Sequence, residues 1–88
     1  MAFTANLTAD GATATFVIPR EARVHLTGSF GGGTLTLQGN SSGTFEDLVG
    51  TAQTAAADFI FDSVGEGTFQ FDLAGATTPD IDITVIIQ

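Results

Sequence analysis

His25 is the only histidine in the chain, so a Ser–His–Asp relay or a two-histidine metal site must use it or do without. It falls between Arg23 and Thr27 in an alternating segment, and it reads as an exposed strand residue, not a general base. A nucleophilic serine needs a base in reach and a strained turn that presents its hydroxyl. Ser29, Ser41, Ser42 and Ser63 all fall in strand or turn contexts, and none sits in the strand-to-helix turn of a nucleophile elbow. Paired carboxylates are the other acid–base option. Asp80 and Asp82 share one face of a strand pattern, and Asp58 and Asp62 bracket an apolar strand. A chain of 88 residues leaves little room for a deep substrate cleft, so these acids read as solvated outward charges that also discourage edge-to-edge association.

Metal and phosphate chemistry fare no better. Asp80 and Glu66 offer the hard oxygen donors that calcium prefers, but no twelve-residue calcium loop or regular aspartate repeat surrounds them. Gly31-Gly32-Gly33 is followed by Thr34-Leu35 and lacks the Gly-Lys-Ser/Thr ending of a phosphate loop, so it reads as a turn. Asn6-Leu7-Thr8 and Asn40-Ser41-Ser42 match the N-glycosylation pattern. The opening MAFTANLTAD has neither a basic leader nor a continuous apolar stretch, so no signal peptide is expected and these two sites carry no weight. No catalytic residue, cofactor or metal is expected, and the protein reads as a non-enzyme.

Composition narrows the partners. Ten carboxylates oppose two arginines, Arg20 and Arg23, for a formal charge of −8, and lysine is absent. Nucleic-acid binding needs a basic footprint, and anionic membranes repel an acidic surface, so neither is expected as a partner. No apolar run reaches the length of a membrane-spanning helix. Cysteine is absent too, which removes disulfides and thiolate metal sites together. Small domains offset a thin core with such staples or with association, and association is the one left.

The elements that would position any site are strands. Residues 1–88 read as a single all-β domain, a small β-sandwich or jelly-roll-like fold of about eight short antiparallel strands. Phe3, Ala5, Leu7 and Ala9 alternate with polar residues, and Asp10-Gly11 predicts a tight hairpin turn. Ala14, Phe16 and Ile18 form a second inward set before Pro19. Val24, Leu26, Gly28 and Phe30 form a third, with Arg23, His25, Thr27 and Ser29 outward. Beyond the triple glycine come Leu35 and Leu37, a hairpin connection over Gly39 to Gly43, and Phe45, Asp47 and Val49. Residues 50–57 are the least legible and read as a loop or short edge strand. Phe59 and Phe61, a turn over 64–67, Phe69, Phe71 and Leu73, a connection over 75–79, and Ile81, Ile83, Val85 and Ile87 complete the pattern.

Three apolar residues fall out of phase with these inward sets: Val17, Ile60 and Ile86. If their strands are neighbours, they make an outward apolar patch suited to another subunit. These are the candidate subunit or partner interface.

The run Thr34-Leu35-Thr36-Leu37-Gln38, then Gly39-Asn40-Ser41-Ser42-Gly43-Thr44-Phe45 and Glu46-Asp47-Leu48-Val49, resembles small bacteriophage virion structural proteins. In that group a strand of this form enters a polar Ser/Gly hairpin, and the next strand opens with threonine and an aromatic. Ala5-Asn6-Leu7-Thr8-Ala9-Asp10-Gly11 and Gly67-Thr68-Phe69-Gln70-Phe71 are similar to it as well. The resemblance departs at Ser42-Gly43, where Asp-Gly is usual, and in lacking the hairpin's basic residues. It carries over no site residue. It implies a β-sandwich module of capsid-decoration or head-fibre type, often a homotrimer, located in the virion and bound to the major capsid protein or another virion protein. The expected role is a cement protein that stabilises the shell. The alternative is a tail- or fibre-associated ligand- or carbohydrate-binding module, which the absence of Trp and Tyr disfavours.

Overall fold

A computed structural model describes residues 2–41, 43–63 and 66–87. Among the described residues the period-two alternation folds as nine strands: β1 (Ala2–Leu7), β2 (Gly11–Ala12), β3 (Phe16–Ile18), β4 (Glu21–Ser29), β5 (Thr34–Ser41), β6 (Thr44–Asp47), β7 (Ala57–Asp62), β8 (Gly67–Ala74) and β9 (Asp80–Ile87). They form two antiparallel sheets. The first has the order β1-β9-β4-β7 and the second β2-β8-β5-β6, with β3 also paired to β8. The domain is therefore all-β and two-layered, as the alternation predicts. No helix among the described residues is long and apolar enough to cross a membrane.

The core lies where the inner faces meet. Phe16, Ile18, Val24, Leu26, Phe30, Leu35, Leu37, Phe69, Phe71, Leu73, Ile81, Ile83 and Val85 are all buried. Phe16 links the layers: its ring stacks on Phe3 of β1 at 4.4 Å and lies 5.9 Å from Phe71. Phe61 meets Phe69 edge-on at 5.4 Å, joining β7 of one sheet to β8 of the other. With strands as short as these, such inter-sheet aromatic contacts join the edges of the layers to their centres.

The turn chemistry is less simple than the sequence implies. Asp10-Gly11 is not a hairpin: β1 pairs with β9 in one sheet and β2 pairs with β8 in the other. The Asp10 carboxylate instead accepts hydrogen bonds from the backbone N–H groups of Gly75 (3.2 Å) and Ala76 (2.9 Å), tying the β1–β2 crossover to the β8–β9 connection. The expected second strand is split by a bulge. Gly11 stands opposite Leu73 and Phe16 opposite Phe69, five steps along one strand against four along the other, so one extra residue enters between them. Thr13 bridges the gap, its N–H donating to the Phe71 carbonyl at 2.8 Å and its hydroxyl accepting from the Phe71 N–H at 3.1 Å. Ala14, expected inward, is exposed. This split gives nine strands where about eight are expected.

The 39–43 hairpin is present but shorter, joining β5 to β6 with Ser41 opposite Thr44. Its register sets the faces of β6. Gly39 continues the inward series of Leu35 and Leu37 and stands opposite Glu46, so Phe45 and Asp47 point outward and Leu48 packs on the core. Val49 is fully exposed in the turn that follows. The turn expected over 64–67 lies partly outside the described residues, at Val64 and Gly65.

Residues 48–56 form a loop that continues the β6 edge without a strand. The Leu48 N–H donates to the Leu37 carbonyl at 3.0 Å, and Leu35 and Gln53 exchange two bonds of 2.8 Å. Between them, Thr51, the buried polar side chain of the core, accepts from the Leu37 N–H at 3.2 Å and donates to the Leu48 carbonyl at 2.7 Å. A hydroxyl thus stands in for a missing strand and satisfies a ladder donor that would otherwise be buried unpaired.

Candidate interaction surfaces

The residues with chemical potential are dispersed by the fold. His25 is exposed on the outer face of β4, and its Nδ1 lies 3.9 Å from Asp58 Oδ2. Ser29 sits at the exposed end of β4. The Ser63 hydroxyl is engaged with the Arg20 carbonyl at 2.8 Å, at the opposite end of that strand. Ser42 lies outside the described residues. No serine is brought to His25 by these contacts.

The two carboxylate pairs serve the sheet. Asp80 and Asp82 of β9 flank Asn6 of β1, whose side-chain amide donates to both, at 2.8 and 3.0 Å. Asp58 of β7 takes a two-pronged bond from Arg23 of β4, Nε to Oδ1 at 3.0 Å and Nη2 to Oδ2 at 2.6 Å. That bond is the main reason the Asp58 carboxyl is held below the usual carboxylate range; desolvation opposes it, and the charges of Arg23 and then His25 add to it. The same contact raises Arg23 above its ordinary value. Among the described residues no three His, Asp or Glu side chains converge as a metal site.

The outward apolar residues do group, though not as a trio. Ile86 of β9 and Ile60 of β7 both pair with Arg23 of β4, and Ile86 also pairs with Ala2 of β1. Ala2, Ile86, Arg23 and Ile60 therefore form one continuous row across the outer face of the first sheet. Ile60 is 68% exposed and Ile86 42%. Arg23, turned along the strand to Asp58, leaves its aliphatic stem between the two isoleucines. The next row is Thr4, Thr84, His25 and Asp58. Val17 does not join this patch. It sits on β3, opposite Thr68 in the second sheet, so the layers of the sandwich separate it from the isoleucines. The expectation of one three-residue patch is corrected to a two-isoleucine row, because sheet assignment, not sequence phase, decides which outward residues are neighbours.

Two further features have no sequence signal beyond composition. On the second sheet an amide ladder crosses three strands: the Gln70 amide donates to Gln38 at 2.7 Å and the Gln38 amide donates to Asp47 at 2.9 Å. At the end of the sandwich near the β5–β6 hairpin, a cleft of about 380 Å³ opens over Gly39, Leu48 and Phe69, with Asn40, Glu46, Asp47 and Thr68 at its rim. A Cβ at Gly39 would stand 3.4 Å from both Leu48 and Phe69, so the glycine keeps the floor of this cleft open.

Comparison with protein-family models, with curated proteins and with solved structures finds no match to this chain.

Proposed function

We propose that this protein is a non-enzymatic structural module of a bacteriophage particle, a capsid decoration protein that docks on the major capsid protein and stabilises the shell. The observation that carries the reading is the Ala2–Ile86–Arg23–Ile60 row on a regular four-stranded sheet. Its apolar residues are presented by β-ladders and not by loops, so little ordering cost is incurred when a partner covers them. The surrounding chain is strongly acidic, so a matching partner has an apolar patch with a basic rim. Many copies on a lattice convert a small contact into strong retention through multivalency. The resemblance of the 34–49 hairpin region to small virion proteins supports the same role.

The test is the composition of purified particles together with a face variant. The protein is expected at a copy number matching the capsid lattice. Ile60→Asp with Ile86→Asp is expected to abolish binding to empty shells while the far-ultraviolet circular dichroism stays unchanged. Absence from purified particles refutes the role, and undiminished binding of the double variant refutes the docking face.

A second reading is a ligand-binding module of a tail or fibre, supported by the cleft over Gly39, whose apolar floor and amide- and carboxylate-bearing rim suit a saccharide-sized ligand. A glycan array with hits abolished by Gly39→Val favours it over decoration.

A further inference from the structure

We infer that β1 is a self-association edge, at which two copies of this chain pair β1 against β1 antiparallel about a two-fold axis near Ala5, joining two four-stranded sheets into one of eight strands. An open strand edge displays backbone donors and acceptors that only another strand satisfies, and proteins guard such edges with charge, proline, bulges or brevity. Among the described residues, three of the four sheet edges are guarded. β7 carries Asp58 and Asp62, β6 has four residues with Glu46 and Asp47 among them, and the β2–β3 edge is broken by the bulge at residues 13–15. β1 has none of these: Ala2–Leu7 is six residues long and regular, with no charge and no proline.

The occupant follows from the strand's own pattern. Phe3, Ala5 and Leu7 alternate inward and are only half-buried, in a large–small–large order centred on Ala5. Antiparallel pairing about Ala5 sets Phe3 beside the partner's Leu7, Ala5 beside its counterpart, and Thr4 beside the partner's Asn6. Every inward residue stays inward, the condition for a sheet to continue with its core face intact. Only a strand with the same alternation fits, and a second β1 has it by identity.

Charge does not forbid the approach, although each copy carries −8. The nearest acids to the edge, Asp80 and Asp82, are held by the Asn6 amide. In the paired arrangement the two Asp82 positions lie three strand spacings apart sideways and two residues apart lengthwise, about 16 Å in all. That is about twice the screening length at physiological salt. Pairing through β7 or β6 would instead bring the Asp58–Asp62 or Glu46–Asp47 carboxylates of two copies together.

The wild-type chain and a pair of cysteine variants test this independently of any virion role. Light scattering after gel filtration at 0.15 M salt is expected to give about 18 kDa, twice the 9.0 kDa of one chain. The chain has no cysteine, so Ala5→Cys is a clean reporter. Cross-strand neighbours at the axis lie within the Cα separation a disulfide spans, and mild oxidation is expected to link most of the protein as a reducible dimer. Ile60→Cys, on the opposite edge, is expected to link at least tenfold less. A mass of 9.0 kDa at 0.1 mM overturns the inference, as does an oligomer in which the Ile60→Cys variant links more readily than the Ala5→Cys variant.

Discussion

Replacing Thr51 with valine removes one hydroxyl at nearly constant volume and tests whether that hydroxyl substitutes for a strand. In the wild type the Leu37 N–H, deep in β5, reaches Thr51 Oγ1 at 3.2 Å. No backbone carbonyl replaces it, because β6 pairs with β5 only from Gln38 onward. Valine leaves that N–H buried without an acceptor, a penalty of about 1–3 kcal/mol. The Leu48 carbonyl loses its 2.7 Å donor but keeps the Thr51 backbone N–H at 3.3 Å, so most of the cost falls on Leu37. A net loss of about 2 kcal/mol is a substantial part of the total for a domain of this size, about 4–13 kcal/mol, and corresponds to a fall in Tm of about 8–16 °C. Thr51→Ser keeps the hydroxyl and loses one methyl, at about 0.8 kcal/mol. Urea unfolding of the three proteins, followed by circular dichroism, separates the contributions. A valine variant within about 0.5 kcal/mol of wild type, the ordinary range of a surface change, or one as stable as the serine variant, would refute the hydroxyl's role.

Other perturbations probe the backbone and the charges. Gly28 sits at φ 106° with the Asp80 carbonyl oxygen in the space its Cβ would need. Gly28→Ala is therefore expected to cost about 3 kcal/mol or more, whereas Gly43→Ala, at φ 84° with open space around it, costs about 1–2 kcal/mol; equal effects in denaturant would contradict the close approach. Because Asp58 is held below its unfolded value, its contribution to stability is complete above the unfolded carboxylate range and lost as pH falls through the folded midpoint. Nuclear magnetic resonance should find that midpoint moved up in Arg23→Gln, and an unmoved midpoint counts against the two-pronged bond as its cause. Asn6→Asp places a third carboxylate between Asp80 and Asp82, so its Tm should fall below that of wild type at low salt and approach it in 1 M NaCl, where screening shortens to about 3 Å. A deficit independent of salt would assign Asn6 a role other than separating the two acids.

The strand content is legible because period-two alternation is a local property. Val24 and Leu26, Phe69 and Phe71, and Ile81, Ile83 and Val85 are each identifiable as inward from their own neighbours, and all are buried. Pairing is not local. Asp10-Gly11 carries hairpin chemistry, yet β1 finds its partner in β9, about eighty residues away along the chain, because burying Phe3 and Leu7 against the opposite sheet outweighs a turn preference. Residues 50–57 are hard to read for a related reason: Thr51 is defined by the Leu37 N–H it satisfies, and nothing in its own segment announces that donor.

The candidate surface divides along the same line. That Val17, Ile60 and Ile86 point outward follows from their phase, and all three are exposed large hydrophobics. Which of them are neighbours depends on sheet order, which places Ile60 and Ile86 on either side of Arg23 and sends Val17 to the other layer. The amino-acid sequence alone determined the all-β class, the acidic charge and most of the core, since each rests on residue type and a two-residue period. Only the tertiary structure decided the bulge, the pairing of Glu46 with Gly39 and the unguarded edge of β1. Those features are set by which strands share a ladder and in what register, a choice the whole core makes at once.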